Sequence, residues 1–73
     1  MDELKLKERL LQENEEFRKA HEEHQRHEQE LARIKGRSFL TEAERIQEKE
    51  LKKRKLALKD RMYQMMREFG RSL

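Results

Sequence analysis

The chain contains no cysteine, no proline and only two glycines among its 73 residues. Without cysteine there is no disulfide and no thiolate metal ligand, which excludes a small secreted fold held together by disulfides. Without proline, nothing interrupts a helix over long stretches. No apolar run approaches the roughly 18 residues of a membrane-spanning helix, so we expect a cytoplasmic protein without a membrane segment.

Charged side chains are abundant instead. They make up 48% of the residues, against 33% that are hydrophobic, but the net charge is only +3. A chain this short buries a modest fraction of its surface, so residues 1–73 are expected to form a single domain. Charges of both signs, interspersed with periodic leucine and methionine, are typical of long helices in contact with water.

Three helices are predicted, over residues 2–13, 15–35 and 42–69, with a loop over 36–41. Apolar positions in the two long helices recur at intervals of three and four residues, which keeps them on one side of each helix. This pattern comprises Phe17, Ala20, His24, His27, Leu31 and Ile34 in the second helix, and Leu51, Lys55, Leu58, Met62, Met65 and Phe69 in the third, with Ile46 extending it toward the loop.

The predicted helix ends carry capping signals. Asn14 has the side chain of an N-cap, which favours a break between the first two helices; the alternative is one helix that continues through Asn14 into residues 15–35. Gly36 is expected to end the second helix in the left-handed conformation, and Gly70 to end the third. Thr41 and Glu44 have the spacing of a capping box, in which each side chain accepts from the backbone N–H of the other.

A short loop between two long helices brings them back antiparallel. The expected fold is all-α: an antiparallel helical hairpin with a short extra N-terminal helix, in which Leu31 lies near Ile46 and Phe17 near Met62. We further expect two hairpins to dimerise into a four-helix bundle, because a single hairpin is too small to bury its apolar sides alone. The predicted core is Phe17, Leu31, Ile34, Leu51, Leu58, Met62, Met65 and Phe69. The predicted partner surface is Leu10, Leu11, Tyr63, Met66 and Phe69.

The basic sequence KKRK at residues 52–55 raises the question of nucleic-acid binding. Residues 49–61 carry seven basic and two acidic side chains, whereas residues 13–30 carry seven acidic and three basic ones. These segments lie side by side in an antiparallel hairpin, so we interpret the basic run mainly as part of an intramolecular charge pairing. Nucleic-acid contacts are the alternative, although no interleaved aromatics or readout motif accompany them. Those contacts would come from Lys52, Lys53, Arg54 and Lys59.

Three histidines, His21, His24 and His27, recur at every third residue. This spacing differs from the i, i+4 spacing of zinc proteases, and a metal would also need a carboxylate from elsewhere. We interpret His24 and His27 as polar members of the packed side, with metal binding as a minor alternative. No nucleophile–base pair and no glycine-rich phosphate loop is recognisable, so the sequence predicts neither an enzyme nor a cofactor.

Three segments together resemble a known family: ENEEF at residues 13–17, EEH at 22–24, and FLTEAE with LKKRKLALKD between 39 and 60. Their order and spacing are similar to those of the YdcH-like family of small bacterial proteins, whose domain is of unknown function. The resemblance covers about residues 10–69. It implies a helical hairpin in a bacterial cytoplasm, with no catalytic residues and no established ligand.

The sequence departs from that family's usual pattern at two places. Glu15 stands where the family often has proline, and His27 where it often has leucine. The function favoured by the sequence is a non-enzymatic module for protein–protein interaction or oligomerisation, which binds a second copy or a helical segment of another protein.

Overall fold

The computed structural model describes residues 2–72 and contains three α-helices there, with no strand in that range. They are α1 (Glu3–Glu13), α2 (Glu15–Lys35) and α3 (Glu42–Ser72). α2 packs along α3, and α1 packs against both. The described residues extend over 48 × 20 × 16 Å. The all-α prediction is confirmed.

Side-chain caps lie at the helix ends predicted from the sequence. Asn14 Oδ1 accepts from the backbone N–H of Phe17 at 3.0 Å, and the Asn14 backbone is extended, so α1 and α2 are separate helices. The backbone N–H of Glu44 donates to Thr41 Oγ1 at 3.1 Å, and the Thr41 N–H donates to Glu44 Oε1 at 3.0 Å. The predicted capping box at the start of α3 is confirmed.

Gly36 ends α2 as predicted, but not in the left-handed conformation, and the prediction that Gly70 ends α3 is wrong. Gly36 has φ −74° and ψ −6°, in the right-handed region, because the next N–H, of Arg37, closes a turn onto the Ile34 carbonyl without any positive φ. Gly70 lies inside α3, which continues to Ser72 instead of ending at residue 69. The helix has a neighbour there, since a Cβ at Gly70 would lie 3.8 Å from Leu6 Cδ2 of α1.

The buried residues form two clusters. The far-end cluster, away from the loop, joins all three helices and contains Leu10, Phe17, Ala20, Met62 and Met66. The loop-side cluster contains Leu31, Ile34 and Leu51, with Leu40 packed against it. Phe17 and Met62 lie in the same cluster, as the antiparallel hairpin requires.

Two details of the predicted packing are wrong. Ile46 is 59% exposed, and Leu31 packs with Leu51 instead. Five residues turn a helix by about 140°, so Ile46 and Leu51 cannot both face α2. Met66 is buried, whereas Met65 is only partly buried, because α1 covers the side of α3 on which Met66 lies.

Candidate interaction surface

The histidines lie on α2 at and between the two clusters, and all three are half-buried. Among residues 2–72, three buried nitrogens have no hydrogen-bond partner: His21 Nδ1, His24 Nε2 and His27 Nε2. The nearest acidic oxygen to His27 Nε2 is Oε1 of Glu23, at 3.6 Å, which is beyond hydrogen-bond distance.

Burial and charges from the other helices act in the same direction on two of the histidines. Burial lowers the pKa of His21, and the Lys7 ammonium lowers it further. Burial also lowers the pKa of His24, where Glu28 opposes the effect and Lys55 reinforces it. Protonating either histidine therefore places a cation in a partly desolvated position close to a lysine.

In residues 2–72, the fold does not bring together the ligands that the alternative of metal binding requires. Residues 2–72 contain no group of three or more histidine, cysteine, aspartate or glutamate side chains placed to hold a metal ion. Histidines three residues apart are displaced by about 60° around α2. His21 and His24 therefore line one cavity, whereas His21 and His27 lie about 120° apart.

Charge pairing joins the basic segment to α2 at two positions. Lys55 Nζ lies 3.0 Å from Glu28 Oε1, and Arg61 pairs with Glu16. Such exposed pairs contribute about 0–1 kcal/mol each, so they favour the register of the hairpin more than they stabilise it. The predicted pairing of the basic run with acidic α2 is confirmed at Lys55 and Arg61.

The four candidate nucleic-acid contacts are exposed, but they do not form one patch. Lys52, Lys53 and Arg54 are consecutive, and each is turned about 100° from the one before. Lys59 is seven residues from Lys52 and therefore shares its side of α3. The Lys59 ammonium lies 6.0 Å from the centre of the Tyr63 ring.

Only part of the predicted partner surface is exposed to solvent. Leu10 is 1% exposed and Met66 is also buried, so both belong to the far-end cluster and their assignment to the surface needs correction. Leu11 and Phe69 pack against the same cluster and are half-buried. The cause is α1, which folds back onto α2 and α3. Tyr63 remains 45% exposed.

A regular row of exposed side chains runs along α3 beside the core. We call it the basic stripe; its members are Arg45, Lys49, Lys52, Leu56, Lys59 and Tyr63, all of them exposed. Their spacings are four, three, four, three and four residues, so they share one side of the helix over about 27 Å. Leu56 is 60% exposed. Sequence reasoning missed this row because most of its members are lysine or arginine, although the spacing itself is visible.

A cavity of about 220 Å³ opens at the end of the basic stripe, between α1, α2 and α3. We call it the histidine cavity. Two stripe members, Lys59 and Tyr63, line it together with the buried Met62 and Met66. Its other lining residues are Glu3, Lys7, His21, His24, Gln25 and Glu28. The stripe and the cavity therefore form one continuous surface.

A family model described as a protein of unknown function, DUF465, matches residues 17–66. The chain belongs to the DUF465 family. YdcH-like proteins are members of DUF465, so the resemblance in the sequence is confirmed. The DUF465 match contains the whole basic stripe and most of α2 and α3. No curated protein and no solved structure matches the chain.

Along the part of this DUF465 protein that the structure describes, no helix has both the length and the apolar character needed to cross a membrane.

Proposed function

We propose that this DUF465 protein is a non-enzymatic interaction module of the bacterial cytoplasm, which presents one side of α3 to a helix of a partner. The partner is another protein or a second copy of the chain, the latter giving a four-helix bundle. One observation carries the proposal: Leu56 and Tyr63 stay 60% and 45% exposed on the basic stripe although the chain buries a core of its own.

The displaced pKa values of two carboxylates have structural causes. Here the lowered pKa of Glu44 follows from the backbone hydrogen bond to Thr41 in the helix cap. The lowered pKa of Glu28 follows from the side-chain hydrogen bond to Lys55. Each of these two pKa shifts therefore comes from a hydrogen bond that helps to hold the helices in place.

The test is the oligomeric state and binding behaviour of the chain with and without its exposed apolar residue. Sedimentation velocity over a wide concentration range, on the wild type and on Leu56→Glu, reports self-association. We expect any dimer to weaken in Leu56→Glu, because a charge replaces an apolar side chain on the contact surface. A chain that stays monomeric and captures no helical partner contradicts the proposal.

RNA or DNA binding is the second candidate, favoured by one observation. Lys52 and Lys59 lie on the same side of α3 and form no salt bridge with α2; the Lys52 ammonium lies 3.4 Å from Glu48 Oε1 of its own helix. The affinity for a duplex of random sequence, measured at several salt concentrations, tests this second candidate. A steep fall of affinity with salt identifies phosphate contacts, and no binding at about 0.1 M salt rejects them.

A further inference from the structure

We infer that the partner segment is an acidic amphipathic helix that lies along the basic stripe and inserts one apolar side chain into the histidine cavity. This inference rests on the proposed function and specifies the chemistry of the partner.

The spacing of the basic stripe fits a helical partner. Alternating intervals of three and four residues keep side chains in register with a second helix over several turns. The stripe covers about 27 Å, which corresponds to about five turns of a partner helix. Leu56 and Tyr63 supply the apolar contacts, seven residues apart on the same side of α3.

The charges of the stripe select an acidic partner. Among residues 2–72, Arg45, Lys49 and Lys59 have no acidic side chain within salt-bridge distance. A second copy presenting the same stripe would place four cations against four cations, and like charges facing one another at an interface are destabilising. A helix with glutamate or aspartate flanking an apolar row pairs with these cations.

The histidine cavity provides the anchor site. A cavity of about 150 Å³ lined by apolar side chains holds benzene, so the 220 Å³ found here has room for a leucine or phenylalanine side chain. Met62 and Met66 are buried in its wall, and methionine adapts to varied apolar shapes. Apolar side chains that fill a pocket supply much of the binding energy of many interfaces.

A nucleic acid fits this surface less well. Phosphates would meet the lysines, but Leu56 would gain no partner on a phosphate backbone. The buried Met62 and Met66 in the wall of the adjoining cavity likewise suit an apolar side chain and not a phosphate. These two features favour an acidic protein helix over a nucleic acid.

Two synthetic peptides test the inference. Both have about 20 residues, the same leucine row and the same helix propensity, but one carries glutamate and the other lysine beside the leucines. Fluorescence anisotropy gives the affinity of each for the full chain. We expect the glutamate peptide to bind and the lysine peptide not to bind. Amide chemical-shift changes should concentrate at the basic stripe and around the cavity.

Matched variants identify the surface. Lys52→Glu, on the stripe, should lower the affinity for the glutamate peptide roughly tenfold. Arg54→Glu, exposed on the other side of α3, should change this affinity by less than about twofold. Leu56→Glu should abolish binding, and Ile46→Glu, equally exposed but off the stripe, should not. Circular dichroism confirms that each variant folds.

The outcomes separate the two proposals. Binding of the lysine peptide, equal losses in Lys52→Glu and Arg54→Glu, or tighter binding of a DNA or RNA duplex overturns the inference. If no peptide binds but the chain forms a dimer that Leu56→Glu disrupts, the acidic helix is rejected while the interaction module stands. If no peptide binds and the chain is a monomer at all concentrations, both fail.

Discussion

Truncation of Phe17 tests the packing on which the whole fold depends. Its side chain is 0% exposed and lies in the far-end cluster with Leu10 and Met62. Phe17→Ala removes the ring and leaves a cavity where α1, α2 and α3 meet. Phe39→Ala makes the same chemical change in the loop, where the ring is 91% exposed.

The expected losses differ widely. Replacing a buried phenylalanine with alanine costs about 3–5 kcal/mol. A domain of this length has a free energy of unfolding of about 4–11 kcal/mol, taking about 0.05–0.15 kcal/mol per residue. Phe17→Ala therefore removes a large share of the stability or abolishes folding. Phe39→Ala should change the free energy of unfolding by less than about 0.5 kcal/mol.

Urea unfolding followed by far-ultraviolet circular dichroism measures both variants at two protein concentrations. Phe17→Leu, which leaves most of the side chain, keeps the comparison usable if Phe17→Ala does not fold. We expect it to lose roughly 1–2 kcal/mol. The packing described above is refuted if Phe17→Ala costs less than about 1 kcal/mol. A loss in Phe39→Ala that grows with protein concentration would instead place the loop in an interface between copies.

Three further predictions concern pH, the cap of α3 and the glycines. The unfolded chain binds histidine protons near pH 6.5, whereas folded His21 and His24 bind them at lower pH. The free energy of unfolding should therefore fall as the pH drops from 6.5 toward the lowered pKa values. Thermal melts that coincide at about pH 7.5 and 5.5 would contradict this prediction. Thr41→Ala should lower the melting temperature through a loss of about 1 kcal/mol, with Thr41→Ser close to wild type; equal melting of the two would rule out the capping hydroxyl. Gly70→Ala, inside α3 and with ordinary contact distances around the added methyl group, should raise the free energy of unfolding in urea by about 0.5–1 kcal/mol. Gly36→Ala should not lower it, and a lower free energy of unfolding in that variant would indicate a left-handed backbone at Gly36.

The helices and their ends are readable from the sequence because local chemistry determines them. Asn14 and the pair Thr41–Glu44 satisfy backbone N–H groups within three residues of themselves, so no distant contact is needed to predict them. The pairing of α2 with α3 follows from the spacing of residues such as Phe17 and Met62. These features depend on periods and caps that the sequence shows directly.

The packing of α1 could not be predicted in this way. Its leucines are too few to define a face, and whether Leu10 is buried within the chain or presented to a partner depends on the path after Asn14. That path turns α1 onto α3, which buries Met66 more deeply than Met65 and forms one wall of the histidine cavity. The basic stripe also became evident only once the core side of α3 was known, because Leu56 has the same residue type as the core leucines.

The gap between the two apolar clusters has a consequence for local opening of the molecule. At the level between them, Nε2 of His24 and of His27 is buried without a hydrogen-bond partner among residues 2–72, so the side-chain packing that couples the two halves is weak there. The half near the loop rests on three buried side chains, Leu31, Ile34 and Leu51. Its amide protons should exchange with deuterium faster than those around Phe17, and the two sets should respond separately to mild urea. The hairpin then behaves as two cooperative units, with a tip that opens while the three-helix end stays closed.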